Sequence, residues 1–247
     1  MTNTKRIFAV ASRAFSQLRH DKRQVVLSIV FPMVIIYFIK VLVDSLGSPF
    51  FDASQYVIPY GAFVIHFITF VLTAIVLVRE RTSGTLERMF VSGYTPSNII
   101  MGYLLAYAVI TTIQSLLVLL QLRWLFELSY DIGQLLSIYL IMWLISILSL
   151  ALGILTSNFA RNEGQVFPFV PLVLVSFIIS GIIIPSEQLP EWSQWLAYLT
   201  PLLYGNNVLQ ELIKGGVLSD NLPNLLGLPL YGLGVMTIAM FTLREKD

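Results

Sequence analysis

The stretch that decides the fold is residues 57–90, VIPYGAFVIHFITFVLTAIVLVRERTSGTLERMF. Its first part, Val57–Val78, carries no acidic or basic side chain apart from His66. It is long enough to cross the hydrocarbon core of a bilayer, which takes about 20 residues of helix. A charged run then begins at Arg79. The pattern predicts a membrane-spanning helix that ends at water and is followed by a polar loop.

The composition of the whole chain supports this reading. Of 247 residues, 56% are hydrophobic and only 12% are charged, and the mean hydropathy is +0.79. A soluble domain has about 25% charged residues, so we predict an all-α integral membrane protein. The net charge of +1 and the lack of a separate basic domain argue against disorder and against binding of nucleic acid.

The same composition limits the chemistry of the chain. The absence of cysteine excludes disulfides, iron–sulfur clusters, thiolate zinc sites and a cysteine nucleophile. Two histidines, His20 and His66, are too few for most imidazole metal sites. No phosphate-binding G-x-x-x-x-G-K-[ST] loop and no catalytic triad occur. We therefore expect no metal, no bound cofactor, no catalytic residue and no ATPase site in this chain.

Six segments are apolar and long enough, or nearly so, to span a bilayer. They are Val25–Val43, Val57–Val78, Ile99–Leu120, Leu135–Ser157, Val166–Ile184 and Leu222–Leu243. The fifth contains Pro168 and Pro171 near its start, and prolines of this kind kink a helix. The kink is either harmless or part of a gate.

The distribution of basic residues predicts the orientation. With a cytoplasmic N-terminus, the outside holds Lys40, Arg123 and Lys214, and the other twelve of the fifteen lysines and arginines, including Arg244 and Lys246, lie inside. Such an asymmetry places both termini in the cytoplasm. Four aromatic residues then fall near the outer interface: Trp124, Tyr130, Trp192 and Trp195. We expect the protein in the plasma (inner) membrane of a bacterium or archaeon.

Residues 1–24 precede the spans and residues 25–247 form the transmembrane domain. Helical spacing between residues 3 and 20 places six apolar side chains on one face: Ile7, Val10, Ala11, Ala14, Phe15 and Leu18. A basic amphipathic helix of this type is suited to the inner membrane interface. The alternative is a solvated tail.

The loop of residues 79–98 contains a short helical pattern, because Leu86, Met89 and Phe90 share one face at i, i+3, i+4 spacing. Ser92-Gly93 ends this helix, and Thr95-Pro96 supplies an N-cap and a first-turn proline for the third span. The apolar face needs a partner, which is either this chain's own span ends or another subunit.

A second pair of short helices is predicted in residues 186–216. The first helix begins after Pro190 and carries Trp192 and Trp195, and the second covers about residues 202–213. Each is too short to span and too apolar for a simple loop, so we expect the pair to dip back into the outer leaflet.

Polar side chains are rare inside the spans. His66 is either hydrogen-bonded in the interior or functional. A patch in the third span either lines a cavity or forms bonds between helices; its members are Thr111, Thr112, Gln114 and Ser115. Lys40 is placed to pair with Asp44 at i+4. No carboxylate or charged relay is placed within the six span cores, which argues against a proton- or ion-coupled carrier.

The order of these features resembles the membrane subunit of type-two ABC exporters, a class that moves drugs, antibiotics and polysaccharides. The residues that carry the resemblance are the run Glu80–Glu87 after span two, Thr95-Pro96, and Pro201-Leu202-Leu203-Tyr204 after span five. The chain differs from the family pattern at Thr82-Ser83, where another acidic residue is frequent, at Thr200 in place of asparagine, and at Gln210 in place of a basic residue.

The resemblance implies roles for particular positions. The amphipathic N-terminal helix would be an elbow at the inner interface. A cytoplasmic coupling helix would dock on a separate ABC ATPase subunit through Glu80, Gly84, Thr85, Leu86, Glu87, Met89 and Phe90. Two permease copies, expected to be identical, would work with two ATPase copies that use ATP.

We therefore expect a permease that exports a hydrophobic or amphipathic compound along a path containing His66, Thr111, Thr112, Gln114 and Ser115. No fixed charge near mid-membrane replaces the water shell of a small ion. The alternatives are a secondary carrier or channel that works without ATP, or a membrane scaffold.

The orientation is testable with reporter tags. Tags at the N-terminus, near Arg88 and at the C-terminus should report cytoplasm, and a tag near Glu191 should report the outside, because of the basic asymmetry. An N-terminus accessible from outside intact cells would contradict this topology.

Overall fold

The computed structural model describes residues 2–46 and 53–243, and every regular element in them is helical. The α-helices are α1 Asn3–His20, α2 Lys22–Leu46, α3 Ala53–Thr82, α4 Thr85–Val91, α5 Pro96–Leu125, α6 Ile132–Ser157, α7 Val170–Ile179, α8 Glu191–Ala197, α9 Pro201–Ile213 and α10 Leu222–Thr242. Short 3-10 segments cover Glu163–Phe169, Ser186–Gln188 and Leu218–Asn221. The all-helical membrane fold predicted from the sequence is confirmed. Arg244 and Lys246, used above for the orientation, lie outside the described residues.

Five helices of the described residues are long and apolar enough to cross a membrane: α2, α3, α5, α6 and α10. The predicted fifth span is shorter. A 3-10 segment, Glu163–Phe169, leads into α7, and the apolar helical stretch ends at Ile179. Pro168 and Pro171 lie at this junction, and a proline removes one backbone donor and crowds the preceding turn. Six full-length spans are therefore not confirmed; the described chain has five and a shorter sixth.

The centre of the bundle is the contact between α3 and α6. Gly153 of α6 lies against α3 so closely that an added Cβ would be 2.1 Å from the Thr73 hydroxyl and 2.7 Å from the Phe70 carbonyl oxygen. Around this pair, α2 and α10 are mostly exposed and display apolar side chains such as Phe38, Leu42 and Leu233. Exposed apolar faces of this kind are what a lipid environment favours.

The end of the bundle that the basic residues predict to be the inner one is covered by α1. Val10, Ala14 and Leu18 of α1 are buried in one cluster with residues of α5. The predicted apolar face of α1 thus packs largely on protein, while Phe15 remains exposed. Thr95 caps α5 as predicted, since its hydroxyl accepts a hydrogen bond from the Asn98 backbone N–H.

The two short outer helices, α8 and α9, are both present. The turn between them lies beside the middle of α10, where the Tyr231 hydroxyl donates to the Leu199 carbonyl at 2.8 Å. The Tyr204 hydroxyl donates to the Tyr198 carbonyl at 3.1 Å. At its other end, α9 meets the start of α6, where the Gln134 amide donates to the Leu212 carbonyl. Consequently α9 runs from the middle of the bundle to its outer end.

The α3–α6 contact predicts a large effect for a small substitution. Gly153→Val places methyl groups where α3 backbone already lies, and overpacking costs about 1–3 kcal/mol of unfolding free energy. Gly234→Val on α10 is the matched control, because nothing lies within 4 Å of its added Cβ. Reversible unfolding in mixed micelles measures both, and equal stabilities would contradict the packing described here.

Candidate coupling site and substrate path

The predicted coupling helix is α4, and its apolar face is covered by this chain. Gly84 precedes it with φ +67°, a left-handed conformation that glycine adopts without steric cost. Leu86 and Met89 are buried in the same cluster as Val10 and Leu18 of α1. The structure thus settles which partner covers this face. Leu86 and Met89 are not on the surface, unlike the docking face expected from the sequence.

The exposed side of α4 has a different composition. Val91 is 82% exposed, Glu87 and Arg88 are exposed, and Phe90 is half-buried. Arg88 is held by a hydrogen bond of 3.0 Å from its guanidinium to the Thr85 hydroxyl. We call Glu87, Phe90 and Val91 the coupling surface, because it is the part of α4 that another protein can reach.

A buried ion pair fixes the start of this segment. Glu80 is only 2% exposed, and its Oε2 lies 2.8 Å from Nη2 of Arg13 on α1. Arg13 Nη1 also donates to the Tyr103 hydroxyl of α5 at 3.3 Å. Partial burial tends to lower the pKa of Arg13, but the hydrogen bond to Glu80 and the charge of that carboxylate raise it above its ordinary value. Glu80 lies two residues beyond the predicted span Val57–Val78, so this buried carboxylate is outside the core of that span.

Further bonds hold the segments on either side of α4. Arg6 of α1 donates to the Gly93 carbonyl at 2.7 Å, just after α4. Before α4, Arg81 donates to the Ser157 and Ala160 carbonyls at the end of α6, and Arg79 pairs with Glu163 at 2.8 Å. Helix α1 is therefore bonded to the chain before and after α4.

His66, a residue of the predicted substrate path, borders a cavity. It is 1% exposed, and its Nδ1 lies 2.6 Å from the Ser149 hydroxyl. The cavity has a volume of about 310 Å³ and lies between α3, α6, α7, α10 and the turn from α8 to α9. Its lining is otherwise mostly aliphatic and aromatic, and it includes Pro201. We call it the apolar cavity.

The polar patch of the third span lies elsewhere. Thr111, Gln114 and Ser115 are buried. Three bonds connect the patch with neighbouring helices: Trp143 Nε1 donates to the Thr112 hydroxyl at 2.8 Å, the Tyr139 hydroxyl donates to the Thr112 carbonyl at 3.3 Å, and the Thr69 hydroxyl donates to Gln114 Oε1 at 3.2 Å.

Thr111 and Ser115 donate only to carbonyls of their own helix. None of the four patch residues borders the apolar cavity. Within one copy of the chain, the patch therefore bonds helices together and is not joined to His66.

The residues predicted for the outer re-entrant segment differ in exposure. Trp192 and Trp195 of α8 are exposed, whereas Pro201 is buried and Tyr204 half-buried. Large exposed indoles at the outer end suit the aromatic belt of a membrane interface.

Residues 5–213 of the chain match the family model described as ABC-2 type transporter. The chain belongs to the ABC-2 type transporter family. Among curated proteins, this ABC-2 member is 25% identical over 175 residues to the probable multidrug ABC transporter permease YbhR of Escherichia coli, an alignment covering 70% of this chain and 47% of that protein.

Two further relatives are similar. The probable multidrug ABC transporter permease YbhS of Escherichia coli is 26% identical over 205 residues, 81% of this chain and 53% of that protein. The linearmycin resistance permease protein LnrN of Bacillus subtilis is 24% identical over 164 residues, 66% of this chain and 42% of that protein. The aligned part of this ABC-2 member thus spans about half the length of these relatives.

The ion pair of this ABC-2 member predicts an asymmetric mutational effect. Arg13→Gln leaves the Glu80 carboxylate buried without a cation, which should cost about 2 kcal/mol of unfolding free energy, less than a fully buried pair because Arg13 is partly exposed. The double variant Arg13→Gln, Glu80→Gln should regain most of this loss.

The control is Lys40→Gln. Lys40 and Asp44 form the predicted i,i+4 pair at 2.5 Å, and an exposed pair contributes about 0–1 kcal/mol. Equal losses for Arg13→Gln and Lys40→Gln in the same unfolding assay would show that the buried pair has no special role.

Proposed function

We propose that the chain is the permease subunit of an ATP-driven exporter. It works as a homodimer in the plasma (inner) membrane, with both termini in the cytoplasm, and two copies of a separate ABC ATPase subunit power it. The observation that carries the proposal is the arrangement of α4, whose apolar side is anchored in the bundle while Glu87 and Val91 are exposed and Phe90 is half-buried at the edge of the buried cluster. Family membership and the multidrug permease names of the relatives support it.

The anchoring of α4 explains how a force would reach the membrane. Side chains that are close-packed transmit displacement, because protein interiors have few voids. A push on the coupling surface therefore moves Leu86 and Met89 together with Val10 and Leu18 of α1. The ion pair Arg13–Glu80 links α1 to α3, and the hydrogen bond from Arg13 to Tyr103 links α1 to α5. The ATPase would thus move α1, α4 and the inner ends of α3 and α5 as one body.

The proposed cargo is a hydrophobic or amphipathic compound. No side chain of Asp, Glu, Lys or Arg lines the apolar cavity, so a small ion there would lose its water shell without replacement. An apolar body matches the aliphatic and aromatic lining. His66 and Thr156 offer a few polar groups for orientation, as is usual in small-molecule sites.

The docking proposal is tested with the charge-reversing variant Glu87→Lys combined with Val91→Asp. Both residues are exposed, so insertion and stability should be unchanged. Association with the co-purified ATPase should weaken at least tenfold, because truncation of central interface residues costs about 2 kcal/mol or more.

The matched control reverses another exposed cytoplasmic charge, Arg161→Glu, which lies outside the coupling surface. Pull-down of the ATPase by tagged permease measures the effect. Unchanged ATPase binding and full transport by the Glu87→Lys, Val91→Asp variant would rule out docking at this surface.

The cargo proposal is tested by filling the apolar cavity. Val173→Phe introduces a ring into the cavity wall, whereas Leu174→Phe adds the same ring on an exposed side of α7. In reconstituted complexes, amphipathic compounds should stimulate ATPase activity of the control and fail to stimulate Val173→Phe. Flux of sodium or potassium without ATP and without an amphiphile would favour the channel or carrier alternative.

A further inference from the structure

A second cavity, of about 390 Å³, lies at the outer end of the bundle between the start of α3, the turn after α7, and α9. Unlike the apolar cavity, it is lined mainly by polar groups. Five of its side chains are amides: Gln55, Asn206, Asn207, Gln210 and Asn221. We call it the outer polar pocket.

Two acceptor atoms in this pocket have no donor among the described residues. Asn206 is only 4% exposed. Its Nδ2 donates to the Ser180 carbonyl at 3.1 Å, but its Oδ1 is buried without a partner. Gln210 Oε1, one helical turn further along α9, is also buried without a hydrogen-bond partner. A buried acceptor without a hydrogen bond is costly, so both atoms suit a ligand that donates hydrogen bonds.

The amide character of the buried acceptors indicates that this donor is neutral. The buried acceptors are amides, which stabilise a cation far less than a carboxylate does. The charged residues Glu187 and Lys214 are exposed at the rim and have opposite signs, and Glu211 is half-buried. Sugar or polyol hydroxyls supply neutral donors without the desolvation cost of a buried ammonium group.

The position of the pocket next to the apolar cavity suggests that the hydroxyl-bearing group belongs to an amphipathic molecule. Helix α9 borders the apolar cavity at Pro201 and the outer polar pocket at Asn206, about 7.5 Å apart along the helix axis. The chain passes from one cavity to the other at the end of α7 as well, because Ile179 lines the apolar cavity and Gly181, just after the helix, lines the outer polar pocket. An amphiphile aligned with these helices meets matching polarity at both ends.

We propose that the outer polar pocket binds the uncharged, hydroxyl-rich headgroup of an amphipathic ligand, because buried Asn206 and half-buried Gln210 there each hold an acceptor oxygen without a donor. The inference deepens the proposed export function by naming a cargo class, and it rests on that function only for the ligand's role as cargo.

The test is binding to the purified full chain in phosphatidylcholine nanodiscs, without any ATPase. Equilibrium dialysis compares radiolabelled decyl glucoside with decylammonium, which has the same tail, and empty nanodiscs give the background. We expect saturable binding of the glucoside and a preference over the ammonium compound. Gln210→Leu should weaken glucoside binding about tenfold, the effect of one buried hydrogen bond.

Gln188→Leu is the matched control, because Gln188 is exposed in the same outer region and does not line the pocket. It should bind the glucoside like the unmodified chain. Asn206→Asp provides a second variant, which should shift the preference toward decylammonium. Stronger binding of decylammonium by the unmodified chain, or glucoside binding that neither pocket variant changes, would overturn the proposal. Because the assay contains no ATPase and measures no transport, either result would contradict the pocket proposal without contradicting the export proposal.

Discussion

The packing of α1 on α5, in one buried cluster with Leu86 and Met89 of α4, is the interaction on which the inner half of the molecule depends. Burial of side chains such as Leu86 and Met89 contributes about 1.5–3 kcal/mol each, so a helix as short as α4 keeps its place only through these contacts. The pair Arg13–Glu80 then fixes the register of α1 relative to α3. Without this packing, α4 would be a helix of about two turns that has no buried contact with the spans and could not transmit a displacement to them.

Inside the bundle, the dominant constraint is that polar groups find partners within the chain. His66 meets Ser149, and Thr112 meets the Trp143 indole. Exceptions remain among the described residues: Gln114 Nε2 inside α5 is buried without a partner, and so are the acceptor oxygens of Asn206 and Gln210 at the outer polar pocket. At the outer polar pocket, this unused hydrogen-bonding capacity is where a cargo headgroup would bind.

Much of the fold could be predicted because hydropathy reports helix length directly. The five long helices coincide with predicted spans, and Pro168 and Pro171 already marked the segment that proved shorter. The surroundings of α4 could not be predicted in the same way. Periodicity shows that Leu86 and Met89 share a face, but it does not say what covers that face. Arg13 and Glu80 are 67 positions apart, and no local pattern pairs them.

The most direct test of the account is a distance between α1 and α4 in the working complex. The chain has no cysteine, so Ser12→Cys and Ser92→Cys introduce two unique spin-label positions on exposed sites. With doubly labelled chains diluted in an excess of unlabelled chains, pulsed electron paramagnetic resonance with the ATPase, with and without ATP, should give one unchanged distance within a chain, because both helices move as one body. A change of about one helical turn, about 5 Å, would show that α4 moves independently of α1.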